Sequence, residues 1–225
     1  MAKVLVNESS LSGIANAIRG KNGSTNTYKP NEMAAAITAI ETGGTTDTNT
    51  IKGIIDRSIT SLVIPDGVTT IGSHAFYYCQ SLTSVTLPDG VTTIGTNAFA
   101  WCNSLTSINL PNSLTSIDTF AFEYCTKLTS VKLPEGLTTI EDSAFDGSGL
   151  TSITVPSSVT TIFANAFGCY DLISVKFKGT PTSMSSMAFN GCRNLTTINV
   201  PWAEGAVAGA PWGAHWATIN YNYAE

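Results

Sequence analysis

A unit of 23 residues, LTSVTLPDGVTTIGTNAFAWCNS at Leu82–Ser104, recurs along most of this chain. Near-copies begin at Ile59, Leu105, Leu128, Leu150 and Leu172, and a half-copy begins at Leu195. Self-similarity at a period of about 20–30 residues specifies a solenoid before any other feature is weighed. A unit offers roughly eight apolar positions but no second layer, so it must bury them against its neighbours.

Counting from the leading Leu, positions 1, 4 and 6 are apolar, as in Leu82, Val85 and Leu87. Small polar residues sit between them, which predicts a short strand with one buried face. Position 7 is Pro in most copies (Pro65, Pro88, Pro111, Pro134, Pro156), and a residue without an N–H ends the strand. Asp-Gly or Glu-Gly often follows as turn chemistry, and positions 10 and 13 are apolar again. Positions 17 and 18 are Ala-Phe in every full copy, and position 21 is usually Cys.

The pattern LTSVxLPxxVTTIGxxAFxxC resembles the BspA-type leucine-rich repeat, over Ile59–Val200. The resemblance implies a right-handed β/α arc of about six coils of 22–23 residues, with short helical or irregular segments outside. It implies binding rather than catalysis and names no ligand.

Composition narrows the partners. Charged residues make up 12% of the chain and the net charge is −5, so no clustered basic surface speaks for nucleic acid or anionic membranes. Thr and Ser stand in for charge as solubilising groups. No apolar run approaches the roughly 20 residues of a membrane span. Met1 is followed by AKVLVNESS, without an apolar h-region or a small-residue cleavage site. Synthesis and folding in the cytoplasm without a signal peptide are expected. Cys79, Cys102, Cys125, Cys169 and Cys192 recur at the repeat spacing, which predicts a column of small buried thiols rather than disulfides. No CxxC pair supports a metal, and no cofactor is expected.

Residues 1–42 stand outside the repeat. Leu11, Ile14, Ala15 and Ile18 fall on one helical face, with Ser9 or Ser10 as cap. Pro30 opens a second short helix whose apolar face is Met33, Ala36, Ile37 and Ile40. The expectation is a helical hairpin. The string from Leu5 to Ile40 resembles the N-terminal module of tail-associated proteins of phages and prophages of gut Gram-positive bacteria. The resemblance implies that residues 1–42 attach to a tail or baseplate protein, or oligomerise, while the downstream module recognises. A homo-oligomer is a further option, although no coiled-coil heptads support one. A flexible Gly/Thr/Asn linker is expected at 43–50 and a solenoid at 51–200 whose first coil is an atypical cap. A C-terminal cap at 201–225 carries Trp202, Trp212 and Trp216. These rings either seal the last coil or present a sugar-stacking face.

Catalysis has no foothold in the sequence. His74 and His215 lie far apart along the chain, and there is no HExxH, GxSxG or phosphate-binding glycine loop. Glu123 and Asp142 read as solvated charges, and no catalytic residue or enzyme activity is expected. Two surfaces compete for a ligand. One is a ridge at positions 19 and 20, with Tyr77, Tyr78, Trp101 and Tyr124, and Tyr170 nearby. Its rings either bind or pack over the cysteine column. The other is the strand face, with Thr86, Asn109, Lys132, Thr154 and Lys176. Hot spots favour Trp, Tyr and Arg, which points to the ridge. The expected function is non-enzymatic recognition of a protein or glycan on a bacterial surface, as part of a phage or prophage tail and hence of the virion. The alternatives are a bacterial cell-surface adhesin or host-interaction protein, and an intracellular protein-binding scaffold.

Overall fold

The computed structural model describes residues 57–64 and 66–223. Seven coils can be numbered by their leading residues: Ile59, Leu82, Leu105, Leu128, Leu150, Leu172 and Leu195. Positions 3 to 5 form the front strands, all parallel. The first front sheet joins β1 (Ser61–Val63), β3 (Ser84–Thr86) and β5 (Ser107–Asn109). The second joins β8 (Ser152–Val155), β10 (Ser174–Phe177), β12 (Thr197–Asn199) and β13 (Thr218–Asn220). Partners occupy equivalent repeat positions, such as Leu62 with Val85 and Val85 with Ile108. The period in the sequence is therefore the register of the sheet.

A second parallel sheet lies at positions 12 and 13, which the sequence reading treated only as apolar spacing. It joins β2 (Thr70–Ile71), β4 (Thr93–Ile94), β6 (Ser116–Ile117), β7 (Thr139–Ile140), β9 (Thr161–Ile162) and β11 (Ser183–Met184) without a break. The β-branched Thr-Thr-Ile triplet was its signal. The threonines do more than solubilise. At position 2 the Thr83 hydroxyl donates to the Thr60 carbonyl at 2.7 Å, and at position 11 Thr92 donates to Thr69 at 3.1 Å. Both ladders repeat along the stack, so hydroxyls bond one coil to the next.

The outer segment overturns the expected β/α arc, because no helix occurs among the described residues. Backbone amides there alternate between two partners. His74, Phe76 and Tyr78 donate to Thr96, Ala98 and Ala100 of the next coil at 2.8–2.9 Å, while Ala75, Tyr77 and Cys79 close turns within their own coil. The alternation needs a left-handed residue every fourth position: φ is +57° at Asn97 and +63° at Trp101. An α-helix admits no such residue, so the segment hooks onto its neighbour instead of winding on itself.

Inside, Phe76, Phe99, Phe122, Phe145, Phe167 and Phe189 stack with ring centroids 5.3–5.8 Å apart. All six are buried, and burying each large side chain contributes about 1.5–3 kcal/mol. The half-copy at Leu195 becomes a complete coil. Trp212, eighteenth from Leu195, lies fully buried and accepts from the Phe189 amide through its carbonyl. Trp202 packs edge-on between Phe177 and Trp212, so these two tryptophans cover the end of the core. Trp216 remains 58% exposed.

The front strands do not form one continuous arc. Coil 4 has no strand at its positions 3 to 5, and the front sheet divides there. The helical hairpin and attachment module of residues 1–42, the linker at 43–50 and the apolar start of the first coil at 51–56 lie outside the described residues.

Candidate functional site

The ridge exists as a packed ladder of rings. Position 20 holds Tyr78, Trp101 and Tyr124 in coils 1 to 3, at φ +65°, +63° and +52°. The left-handed backbone aims the three side chains outward along one line. Ring centroids are 5.9 Å apart from Tyr78 to Trp101 and 4.3 Å from Trp101 to Tyr124. Tyr77 joins at one end, 5.8 Å from Tyr78, and meets His74 edge-on. Tyr170, by contrast, is exposed and makes no ring contact with the ladder, so the structure brings together four of the five ridge candidates.

The ladder's ends are closed. The Arg57 guanidinium sits over the Tyr78 ring, 5.5 Å from its centroid, in cation–π geometry. The Tyr124 ring lies against Gly147, where an added Cβ would stand 2.7 Å from Tyr124 Cδ1. Ring faces are thus spent on one another, on Arg57 and on Gly147. The row remains partly open to solvent, with Tyr78 37% and Tyr124 38% exposed. Edges carry the positive side of the aromatic quadrupole and the polar tips, whereas stacking on a sugar needs a free face. Arg57 precedes the first copy of the repeat, and nothing in the period singles it out.

Carboxylates flank the ladder, and Glu123 is not the plain solvated charge the sequence suggested. Partial burial raises its pKa, the charge of Asp146 adds to the shift, and a hydrogen bond from the Trp101 indole opposes it. Burial likewise raises Asp146. Asp142, also expected to be solvated, accepts from the Ala164 amide at 3.1 Å.

The cysteine column lies directly beneath. All five thiols are free and buried. Cys102 and Cys125 donate to the Phe76 and Phe99 carbonyls at 3.2 Å, and Ser148 takes the vacant place in coil 4, 3.2 Å from Cys169 Sγ. Burial pushes the Cys79 and Cys125 thiols up to about 12, which leaves them protonated and unreactive near neutral pH. No cluster of His, Cys, Asp or Glu able to hold a metal ion occurs among the described residues.

On the strand face, Thr86, Asn109, Lys132 and Thr154 occupy one exposed row at position 5. Lys176 continues the row half-buried, with its ammonium 5.6 Å from the Tyr223 ring centroid. The Asn220 amide donates to Asn199 at 2.7 Å at the end of the row. No helix among the described residues is long and apolar enough to cross a membrane.

Residues 55–168 and 92–204 match the family model of the BspA type leucine rich repeat region, in six copies. The chain belongs to this family. Among solved structures, this BspA-type chain is similar to a leucine-rich repeat protein from Bacteroides ovatus. Identity is 33% and the TM-score 0.57, over 63% of this chain and 40% of that one. It is also similar to the T. pallidum leucine-rich repeat protein TpLRR, at 35% identity and a TM-score of 0.57, over 61% of this chain and 68% of that one. The pneumococcal vaccine antigen PcpA shares the fold at 22% identity and a TM-score of 0.60, over 74% of this chain and 42% of that one. The chain thus spans less than half the length of the Bacteroides ovatus and pneumococcal proteins. No curated protein matches it.

Proposed function

We propose that this chain is a non-enzymatic recognition protein of a phage or prophage tail, whose repeat array binds a protein on a bacterial surface through the aromatic ridge. One observation carries the reading of the site. Three large aromatic residues stand at left-handed φ in coils 1 to 3, where coils 4 and 6 place Gly147 and Gly191. Each non-glycine residue there costs roughly 1–2 kcal/mol. Strain of this kind at an exposed row points to use rather than to folding. Tyr and Trp are also the residues that most often carry interface energy. With ring faces packed on one another and on Arg57, the row suits a protein surface better than a sugar ring.

The resemblance of Leu5–Ile40 to tail-associated modules favours the tail over a cell-surface adhesin. The same ridge would serve either assembly. The recognition role is tested with the full chain against bacterial cells before and after protease treatment. Binding lost on proteolysis and in Trp101→Ala or Tyr124→Ala supports a protein ligand at the ridge, and unchanged binding in both variants excludes it. Proteomics of purified particles tests the tail, and absence of the chain from particles overturns that part.

A further inference from the structure

Coil 4 differs from every other internal coil on the front face. No strand forms between β5 and β8, and no backbone hydrogen bond joins Ser130–Leu133 to either neighbouring coil. The coil-4 edge of β8 is consequently unpaired, because β8 pairs only with β10. Val131 shows the effect in its side chain: position 4 is buried in coils 1 to 3 and 5 to 7 except here, where Val131 is half-exposed. Contact resumes just ahead of the opening, where the Thr151 amide donates to the Thr129 carbonyl at 3.2 Å.

The result is a cleft of about 360 Å³ between coils 4 and 5. Val131, Leu133, Ile153 and Pro156 give it apolar lining, and Lys132 and Lys178 stand on its walls. Lys178 reaches across 43 residues to Glu135 at 2.7 Å, which ties the two walls together. The volume falls within the range of about 300–1,000 Å³ usual for ligand sites. Its electrostatics run against those of the chain. The net charge is −5, yet three of the four lysines between residues 57 and 223 (Lys132, Lys176 and Lys178, with Lys127 the fourth) stand at or just after the front face, and Lys132 stands in the cleft lining beside the Lys178–Glu135 pair.

We propose that this cleft takes an extended, acidic segment of a partner protein, added as a strand between coils 4 and 5. Both walls offer main-chain donors and acceptors that the fold leaves unpaired, which is the condition for strand addition. Side chains of an extended segment alternate between two faces. Apolar residues facing inward would cover Val131 and Ile153, while acidic residues facing outward would meet Lys132. Affinity would come from the main chain and selectivity from that charge. The site is separate from the aromatic ridge and does not depend on it.

The test is fluorescence anisotropy of the full chain with a labelled hexapeptide alternating valine and aspartate. Saturable binding is expected, at least tenfold tighter than for the valine–lysine counterpart. Lys132→Glu, at an exposed position, should weaken it at least tenfold with an unchanged unfolding midpoint. Lys127→Glu should leave it intact. Methylating alternate peptide nitrogens of the ligand should abolish binding. Absence of binding, equal affinity for the lysine peptide, indifference to Lys132→Glu or indifference to nitrogen methylation would each overturn the proposal.

Discussion

Coils 1 to 3 and coils 4 to 6 share one core and differ in what they put at position 20. The buried column is the same throughout: a Phe at every coil, an Ala before it, a Cys or Ser beneath. Outside, the backbone demands a left-handed residue, and coil 4 answers with Gly147 while coils 1 to 3 answer with Tyr, Trp and Tyr. Glycine adopts this conformation without steric cost. The aromatic answer costs roughly 1–2 kcal/mol per residue and regains about 0.5–1.5 kcal/mol for each stacked pair. Three such residues and only two stacked pairs among them leave part of the strain uncompensated. The difference between the halves therefore separates residues the fold requires, which repeat everywhere, from residues it merely tolerates, which occur where a surface is used.

That division has a steep side. Removing a shared core group should hurt wherever it is done: Phe122→Ala is expected to cost about 3–5 kcal/mol in denaturant unfolding. Loss of a similar size from Phe167→Ala would show that the two halves unfold as one stack, whereas a much smaller loss would break the comparison. Gly147→Ala comes next, at about 2 kcal/mol, because it combines a left-handed φ of +65° with a Cβ driven into the Tyr124 ring. Pairing it with Tyr124→Ala should recover the steric part and leave the backbone part. A double-mutant cycle measures both.

How much of this was legible follows from the same division. The front strands outside coil 4, the recurring Ala-Phe pair and the thiol column were readable because each is a repeated one-letter choice at a fixed spacing, whereas the sheet at positions 12 and 13 showed only as apolar spacing. The absence of a helix was not, although Asn97 and Asn165 at position 16 hinted at left-handed φ. The other residues there, His74, Phe120 and Ser143, concealed the rule. Spacing put Tyr77, Tyr78, Trp101 and Tyr124 side by side and Tyr170 apart from them, but their mutual stacking depends on ring orientation, which spacing does not encode. Lys132 was picked as one member of a bland row. The opening beside it left no trace in the sequence, because Ser130-Val131-Lys132 reads like any other front strand.

The strain at the ridge is sharpened by a comparison of two replacements at one position. Trp101→Gly and Trp101→Ala lose the same ring contacts, but only glycine relaxes the backbone at φ +63°. The Gly variant should be the more stable by about 1 kcal/mol in denaturant unfolding. The opposite order would remove strain as the mark of the site. Both variants should lose binding to bacterial cells alike.

The smallest effect expected is a pH dependence confined to the acidic flank of the ladder. Burial holds the Glu123, Glu141 and Asp146 carboxyls above their ordinary range, with neighbouring Asp146 adding to Glu123 and Asp118 and Asp142 adding to Glu141. A raised carboxyl binds its proton more readily in the folded than in the unfolded chain. Its ionisation therefore opposes folding at neutral pH, and that opposition fades as pH falls through the raised value towards the ordinary 4.5 of a glutamate. Stability should rise slightly on acidification from neutral pH to just above that range, by no more than about 2–4 °C in Tm, since these groups are only partly buried. Substituting Glu123→Gln together with Asp146→Asn should flatten most of the rise. A Tm that falls over the same interval would mean that the acids beside the ridge are stabilising partners in the fold, and that coils 3 and 4 are not set apart by the charge they carry.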